Sequence, residues 1–175
     1  MTNITFKLLG AIAVITSIYI MLYINAEKKR KTVRFMTDFA DSLKMMKDYI
    51  SSSGLPFCDV LIQVTKKAKE SREFFIYVYE AIKNTDNPTI YDVWNKATDF
   101  IGKKYQLTDK TTDVLKRVGA KLGSMDVFTE GENILSARND VLCERDDLEN
   151  VFNKEMKITK SLSMAIGGFI ILIFI

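Results

Sequence analysis

The sequence predicts an all-α membrane protein, in which two transmembrane helices flank a cytoplasmic bundle of about six helices. Three observations predict this fold. An apolar run lies near each end of the 175-residue chain. Between the runs, apolar residues recur at steps of three and four, the period of an amphipathic helix. No segment has the period-two alternation of a strand. The predicted organisation is a transmembrane helix at 1–26, a cytoplasmic helical domain at 27–157 and a second transmembrane helix at 158–175.

The two predicted spans differ in length. The first run, Phe6–Ile24, has 19 residues with Lys7 as its only charge, and it covers about 28 Å of a hydrocarbon core of roughly 30 Å. Its basic residues follow the run, whereas a cleaved signal peptide, the alternative, would carry them before it. The second run, Leu162–Ile175, is shorter. A helix that begins at Ile158 reaches about 27 Å if Lys160 extends to the headgroups, and the alternative is a tail lying in the interface.

The basic residues beside the two runs predict the orientation. Eight cations lie on the inner sides of the runs and only Lys7 lies toward an outer side, so the positive-inside rule makes the central domain cytoplasmic and leaves both termini outside the cytoplasm. The membrane-flanking cations are Lys28, Lys29, Arg30, Lys31, Arg34, Lys154, Lys157 and Lys160.

Composition excludes several classes of function. The chain has no histidine, and therefore lacks the commonest general base near pH 7 and the commonest metal ligand. Its two cysteines, Cys58 and Cys143, form no Cys-x-x-Cys pattern and are interpreted as reduced helix residues. Between residues 35 and 153 there are 16 Lys and Arg against 20 Asp and Glu, a balance of −4, which argues against nucleic-acid binding. We predict no enzyme activity, no metal and no cofactor.

Local signals divide the central domain into helices. The first helix ends near Ser51, and a loop marked by Gly54 and Pro56 precedes the second. Thr89 and Thr108 are predicted to cap the fourth and fifth helices. The last helix begins at Ser124 or Asp126 and continues into the second span. The predicted inner faces are Met36, Phe39, Leu43, Met46 and Ile50; Phe57, Val60, Leu61 and Val64; Phe74, Phe75, Val78, Tyr79 and Ile82; Ile90, Val93, Trp94, Ala97, Phe100 and Ile101; Val114, Leu115, Val118 and Leu122; and Ile134, Val141, Leu148 and Phe152.

Two features of the later helices call for separate interpretation. Gly119 lies within the fifth helix, where a glycine costs about 1 kcal/mol relative to alanine. Its presence suggests close approach of another backbone, and a tolerated weak position is the alternative. Gly123 is placed as the C-terminal glycine of the same helix. The acidic run 144–149 is interpreted as a solvated helix face, with a docking surface for a basic partner as the alternative.

Three stretches carry a family resemblance. Lys7–Ala11 opens the first span, Leu115–Asp126 has two glycines followed closely by an aspartate, and the basic, Met-containing stretch Asn153–Ile175 leads into a terminal apolar helix. Together they resemble the stage III sporulation protein AB family, from which the stretches 51–56 and 127–132 depart. The residues that carry the family motif and its implied helix packing are Gly119, Leu122, Gly123 and Asp126.

The resemblance implies a non-enzymatic platform component of the secretion-like channel that spore-forming bacteria build between mother cell and forespore. The family is in turn similar to the inner-membrane platform proteins of type II secretion and type IV pilus systems, whose cytoplasmic helical domains dock a hexameric ATPase. The implied partners are membrane lipid, an ATPase similar to stage III sporulation protein AA, and other channel components. The implied location is the mother-cell membrane around the forespore, and self-association stays open.

Other functions stay open beside this one. A secretion or pilus platform protein outside sporulation would have the same architecture. A membrane-bound enzyme or lipid-acting factor could use carboxylates tuned by burial, without histidine. A small pore-forming protein fits less well, because two spans with few polar residues accompany a large soluble domain.

Overall fold

The computed structural model describes residues 2–86, 88–122 and 127–174, with side chains described outside 2–15, 18, 127–130 and 166–174. Over these residues the chain is all-helical and has no strand, which confirms the predicted all-α class. The helices are α1 (Thr2–Ser53), α2 (Phe57–Lys67), α3 (Arg72–Asn84), α4 (Ile90–Tyr105), α5 (Asp109–Leu122) and α6 (Val127–Phe174). Helix α6 is continuous over its whole length, as predicted for a last helix that continues into the second apolar run.

The chain divides into two compact units. Unit 1 contains residues 1–30 and 149–175, and unit 2 contains residues 31–148. The long helices α1 and α6 contribute to both units, whereas α2 to α5 belong to unit 2 alone.

The two predicted transmembrane segments fall in unit 1. Within the described residues, no helix combines the length and the apolar character that crossing a membrane requires. The apolar runs 6–24 and 158–175 fall largely on residues whose side chains lie outside the described ones. The two spans therefore stay predictions.

The core of unit 2 is centred on aromatic side chains from three helices. The ring of Phe39 in α1 lies 5.0 Å from that of Phe74 and 5.4 Å from that of Phe75, both in α3. The indole of Trp94 in α4 lies 4.8 Å from Phe74 in an edge-to-face arrangement, the geometry that aromatic pairs prefer. All four side chains are fully buried. The inner faces predicted for α1 and α5 are buried at every position.

The α1–α2 connection depends on Gly54 and Pro56. Gly54 has a φ of 57°, in the left-handed region that glycine adopts at little cost, and its N–H donates to the carbonyl of Ile50 at 3.2 Å. Pro56 precedes α2, and its carbonyl accepts from the N–H groups of Asp59 at 2.9 Å and Val60 at 3.1 Å. The two residues of the predicted loop motif thus end α1 and begin α2.

Threonine side chains cap two helices, as predicted. Thr89 Oγ1 accepts from the N–H of Asp92 at 3.1 Å and donates to the Asp92 carboxylate at 2.6 Å. Thr108 Oγ1 accepts from the N–H of Thr111 at 3.2 Å. Each bond satisfies an N–H group that the first turn of a helix leaves without a partner.

Candidate docking surface

An exposed aromatic side chain of α4, Phe100, stacks on the partly buried Tyr77 of α3. The sequence places Phe100 on the inner face of α4, and this prediction is wrong: its side chain is 41% exposed. Ala97 and Ile101 fill the core positions of the same turns, and Phe100 lies outside them, stacked on Tyr77 of α3 at 5.3 Å with 20° between the ring planes. An exposed aromatic ring held by stacking is the kind of group that anchors protein–protein contacts.

The charges around this aromatic pair favour an acidic partner. Residues three or four positions away on a helix share a face, which places Lys96 and Lys103 beside Phe100 and Glu80 beside Tyr77. All three are exposed. Among the residues that the structure describes, neither lysine has an ion-pair partner. We define Tyr77, Phe100, Lys96 and Lys103 as the aromatic–lysine surface.

Other lysines of unit 2 are held in ion pairs between helices. The ammonium of Lys116 in α5 lies 2.8 Å from the carboxylate of Asp99 in α4, and this hydrogen bond raises the pKa of Lys116. Lys104 in α4 likewise pairs with Glu73 in α3, which raises the pKa of Lys104. Exposed ion pairs of this kind each contribute little stability. They do engage the ammonium groups of Lys104 and Lys116 with carboxylates of the same chain. Lys96 and Lys103 differ in remaining open to a partner.

The acidic run on α6 is turned partly inward. Glu144 is 4% exposed. One of its oxygens accepts from the Thr111 hydroxyl at 2.8 Å and the other lies 2.8 Å from the ammonium of Lys110. Lys110 also donates to Asp147 at 2.7 Å, and the two carboxylates raise the pKa of Lys110. The predicted solvated face is therefore wrong at Glu144, because the first turn of α5 packs over it.

Two of the four predicted family-motif residues, Gly119 and Leu122, are buried in unit 2. Gly119 faces the indole of Trp94, so that its close neighbour is a side chain rather than the expected backbone. The indole N–H donates to the carbonyl of Leu115 at 2.9 Å, and Leu122 is buried in the core. The other two motif residues, Gly123 and Asp126, lie outside the described residues.

Asp38 in α1 has a structural role that no sequence pattern indicated. Its carboxylate accepts from the backbone N–H of Lys69 at 2.9 Å, the backbone N–H of Ser71 at 2.8 Å and the Ser71 hydroxyl at 2.7 Å. These bonds fix the turn between α2 and α3. The partners lie about thirty residues away along the chain, so no local pattern could have indicated them.

The membrane-flanking cations are exposed in both units. Lys31 and Arg34 belong to unit 2. In unit 1, Lys29 of α1 pairs with Glu155 of α6. The other cations of unit 1 are Lys28, Arg30, Lys154, Lys157 and Lys160.

No group of residues points to metal chemistry within the described part of the chain, where no three Cys, Asp or Glu side chains lie close enough to hold an ion. Cys58 and Cys143 are both free and exposed. The polar groups that come together here pair with one another or cap helices.

Over the residues that the structure describes, the chain has an aromatic core and helices joined by ion pairs, and it belongs to the class of all-α proteins. The sequence model of the stage III sporulation protein AB family matches residues 7–175, and the chain belongs to this family. This match confirms the family that the sequence resembled. A solved structure of stage III sporulation protein AB is similar in fold, with a TM-score of 0.59 and 18% identity over 68% of this chain and 94% of that chain. No curated protein matches the chain in sequence.

Proposed function

We propose that this chain is a non-enzymatic membrane platform component of the sporulation channel, and that unit 2 docks the assembly ATPase through the aromatic–lysine surface. The observation that carries the proposal is the exposed ring of Phe100, which stacks on the partly buried Tyr77 and lies beside two lysines that have no described ion-pair partner. The acidic run on α6 is a weaker candidate, because Glu144 and Asp147 already bind Lys110. Family membership supports a role in sporulation.

The aromatic–lysine surface combines apolar and electrostatic contributions, the two on which protein interfaces depend. Phe100 supplies an apolar ring that water solvates poorly, and aromatic residues dominate the binding energy of many interfaces. Lys96 and Lys103 supply positive charge that steers and orients an acidic segment. Glu80 is the one unpaired carboxylate at the corresponding positions around Tyr77, so the surface keeps a net positive charge. We therefore expect the docking segment of the ATPase to be acidic and to carry an apolar side chain.

Membrane anchoring belongs to the same proposal. The described part of the first apolar run exposes large apolar side chains, with Tyr19 64%, Ile20 56% and Met21 68% exposed. In α6, Ile158 is 66% and Met164 83% exposed. Exposed apolar side chains in this number mark a surface that another apolar phase covers. A bilayer around residues 6–24 and 158–175 would anchor the chain, and the basic residues beside these runs favour a cytoplasmic location for residues 27–157.

The docking experiment measures binding of the full chain in neutral detergent to the assembly ATPase. Phe100→Ala should weaken binding about thirtyfold, as the loss of an interface hot spot does. The double variant Lys96→Glu/Lys103→Glu should slow association and weaken binding further at low salt. Both variants should keep the melting temperature of the wild-type chain within a few degrees, because the substituted side chains are exposed.

Matched controls use the same helix and the same charge change. Tyr91→Ala removes an aromatic ring that is 48% exposed on the opposite side of α4, and Lys44→Glu/Lys66→Glu reverses two exposed lysines of α1 and α2. Both should bind normally. Unchanged binding of the Phe100 and lysine variants, or equal weakening by the controls, would contradict the docking surface. Release of the full chain from membranes by alkaline carbonate would contradict membrane anchoring.

A further inference from the structure

Helices α3 and α4 of unit 2 carry matching stripes of opposite charge. Each stripe has an aromatic residue between two charged residues, at steps of four and three along the chain, so that its members lie within about 60° of one another around the helix. The stripes are Glu73, Tyr77 and Glu80 on α3, which we call the acidic stripe, and Lys96, Phe100 and Lys103 on α4, which we call the basic stripe.

Contacts within the chain hold the two stripes in register. The rings of Tyr77 and Phe100, the central residues of the stripes, stack at 5.3 Å. One turn away, the carboxylate of Glu73 pairs with Lys104. These contacts join earlier residues of α3 to later residues of α4, so the two helices are antiparallel. The N-terminal end of each stripe therefore lies level with the C-terminal end of the other.

The charged groups at one end of the stripes are open to a partner. Lys96 and Glu80 are exposed, and among the residues that the structure describes neither has an ion-pair partner. At the other end Lys103 is also exposed, whereas Glu73 pairs with Lys104 and keeps 44% of its side chain exposed. A pair between a lysine at position 96 and a glutamate at position 80 is thus the main charge contact that the stripes can still make.

Two copies of the chain can satisfy both stripes at once. A two-fold axis parallel to α3 and α4 keeps the level of each residue along the helices and lays the acidic stripe of one copy on the basic stripe of the other. Lys96 then meets Glu80 of the second copy, Phe100 meets Tyr77 of the second copy, and each contact occurs twice. A two-fold axis across the helices would instead lay each stripe on itself and bring like charges together. The charge pattern therefore selects the first arrangement.

We infer that unit 2 binds a second copy of this chain through the acidic and basic stripes, as a symmetric dimer. The inference goes beyond ATPase docking and does not rest on it, because each copy supplies both stripes. It also implies a form of regulation. The stripes contain the whole aromatic–lysine surface, so a second copy and the ATPase exclude one another. The contacts are few and exposed, and the dimer is therefore weak and sensitive to salt.

The test measures self-association of the full chain in neutral detergent, by sedimentation equilibrium at concentrations up to about 0.1 mM. We expect a reversible dimer of the wild-type chain with a micromolar Kd. Lys96→Glu and Glu80→Lys should each weaken it about tenfold or more, because each change places two pairs of like charges in the interface. An equimolar mixture of the two variants should dimerise as the wild-type chain does, since both pairs then have opposite charges again.

The mixture also separates a contact between copies from a contact within one chain, which mixing cannot restore. A second measurement identifies the residues in contact. A carbodiimide condenses an amine with a carboxylate, and it should join Lys96 to Glu80 in peptides that combine unlabelled and isotope-labelled chains. Lys66→Glu and Asp59→Lys are the matched controls, because they make the same charge changes at exposed positions of α2. Both should dimerise normally.

The inference would be overturned by a wild-type chain that stays monomeric up to about 0.1 mM, or by a mixture of the two variants that stays monomeric. A dimer that survives both single changes would place self-association elsewhere in the chain and would also overturn it. ATPase docking is tested separately with Glu80→Lys. This variant should lose the dimer and bind the ATPase at least as tightly, because the docking segment is expected to be acidic. A dimer without ATPase binding would contradict the proposed function alone, and ATPase binding by a chain that never dimerises would contradict the dimer alone.

Discussion

The indole of Trp94 lies directly against the backbone of Gly119. A Cβ atom at position 119 would lie 2.6 Å from Cδ1, 2.7 Å from Cγ and 2.9 Å from Cβ of Trp94, closer than carbon atoms can approach. Trp94 cannot withdraw easily, because it is fully buried and its N–H donates to the carbonyl of Leu115 on the same helix as Gly119. The mid-helix glycine is thus required by the packing of α4 on α5.

Gly119→Ala should destabilise the protein. The added methyl group displaces the Trp94 indole at a cost of roughly 1–3 kcal/mol, which exceeds the gain of up to about 1 kcal/mol in helix propensity. We expect the melting temperature of the full chain in detergent, followed by circular dichroism, to fall by several degrees, and Gly119→Leu to lower it more. Gly102→Ala is the control, because its Cβ would meet only Thr112 Oγ1 at an ordinary 3.5 Å. It should be neutral or stabilising, and an equal fall in both variants would contradict the packing argument.

Asp38→Ala should destabilise the protein by about 2–3 kcal/mol, since it removes a charged acceptor of three hydrogen bonds and leaves the Ser71 N–H without its partner. The α2–α3 turn should also exchange its amide protons faster, which hydrogen-exchange mass spectrometry measures. Asp41→Ala is the matched control on the same helix. Asp41 is 63% exposed at its side chain and lies 4.0 Å from Arg138, so its loss should cost under about 1 kcal/mol. Equal effects of the two substitutions would contradict the role of Asp38.

The sequence predicted best the helix ends, which depend on contacts within one helical turn. Gly54, Thr89 and Thr108 act on neighbours three or four residues away, and the helix boundaries follow from them. Phe100 was predicted to be buried and Glu144 to be exposed, and both predictions are wrong. Each residue lies at the edge of the apolar face of its helix, where burial depends on which other helix packs beside it. Periodicity along one helix carries no information about that neighbour. The same holds for Asp38, whose partners lie beyond α2.

Gln106→Gly should stabilise the protein. Gln106 ends α4 with φ 53° and ψ 48°, a left-handed conformation, and its N–H donates to the carbonyl of Gly102. The left-handed conformation costs a residue with a Cβ atom roughly 1 kcal/mol more than it costs glycine. We expect a gain of about 1 kcal/mol in the free energy of unfolding, measured by thermal unfolding. Gln63→Gly, the same substitution inside α2, should lose about 1 kcal/mol. A loss at both positions would contradict the cap interpretation.

Lys110→Ala should lower the melting temperature by leaving the buried carboxylate of Glu144 without its cation. Adding Glu144→Gln should restore part of the loss, because a neutral amide oxygen still accepts from the Thr111 hydroxyl and no longer needs a counterion. Thermal melts of the two single variants and the double variant form a double-mutant cycle. Lys121→Ala is the control, since its partner Asp140 is 41% exposed and stays hydrated. Additive effects of the Lys110 and Glu144 substitutions would contradict their coupling.

Stability should fall at alkaline pH. Hydrogen bonds to carboxylates raise the pKa of Lys104 and Lys110, and burial raises the pKa of Tyr105. A raised pKa means that the folded chain holds the proton more tightly than the unfolded chain does. The resulting stability is complete below the unfolded pKa values, about 10 for Tyr and Lys, and is lost as pH rises through the folded values.

The melting temperature should therefore change little between pH 7 and 9 and fall above about pH 10. The variant Lys104→Gln/Lys110→Gln/Lys116→Gln should melt lower at pH 8 but fall less steeply, so that its difference from the wild-type chain narrows by about pH 11. The variant Lys44→Gln/Lys66→Gln/Lys83→Gln should follow the wild-type slope, because none of these exposed lysines has a described carboxylate partner. Salt should flatten the curve of the wild-type chain, since the paired lysines are exposed and their attraction is screened. If the melting temperatures of both triple variants fell with pH as steeply as that of the wild-type chain, the alkaline loss of stability would not come from the ion pairs that join α3, α4, α5 and α6.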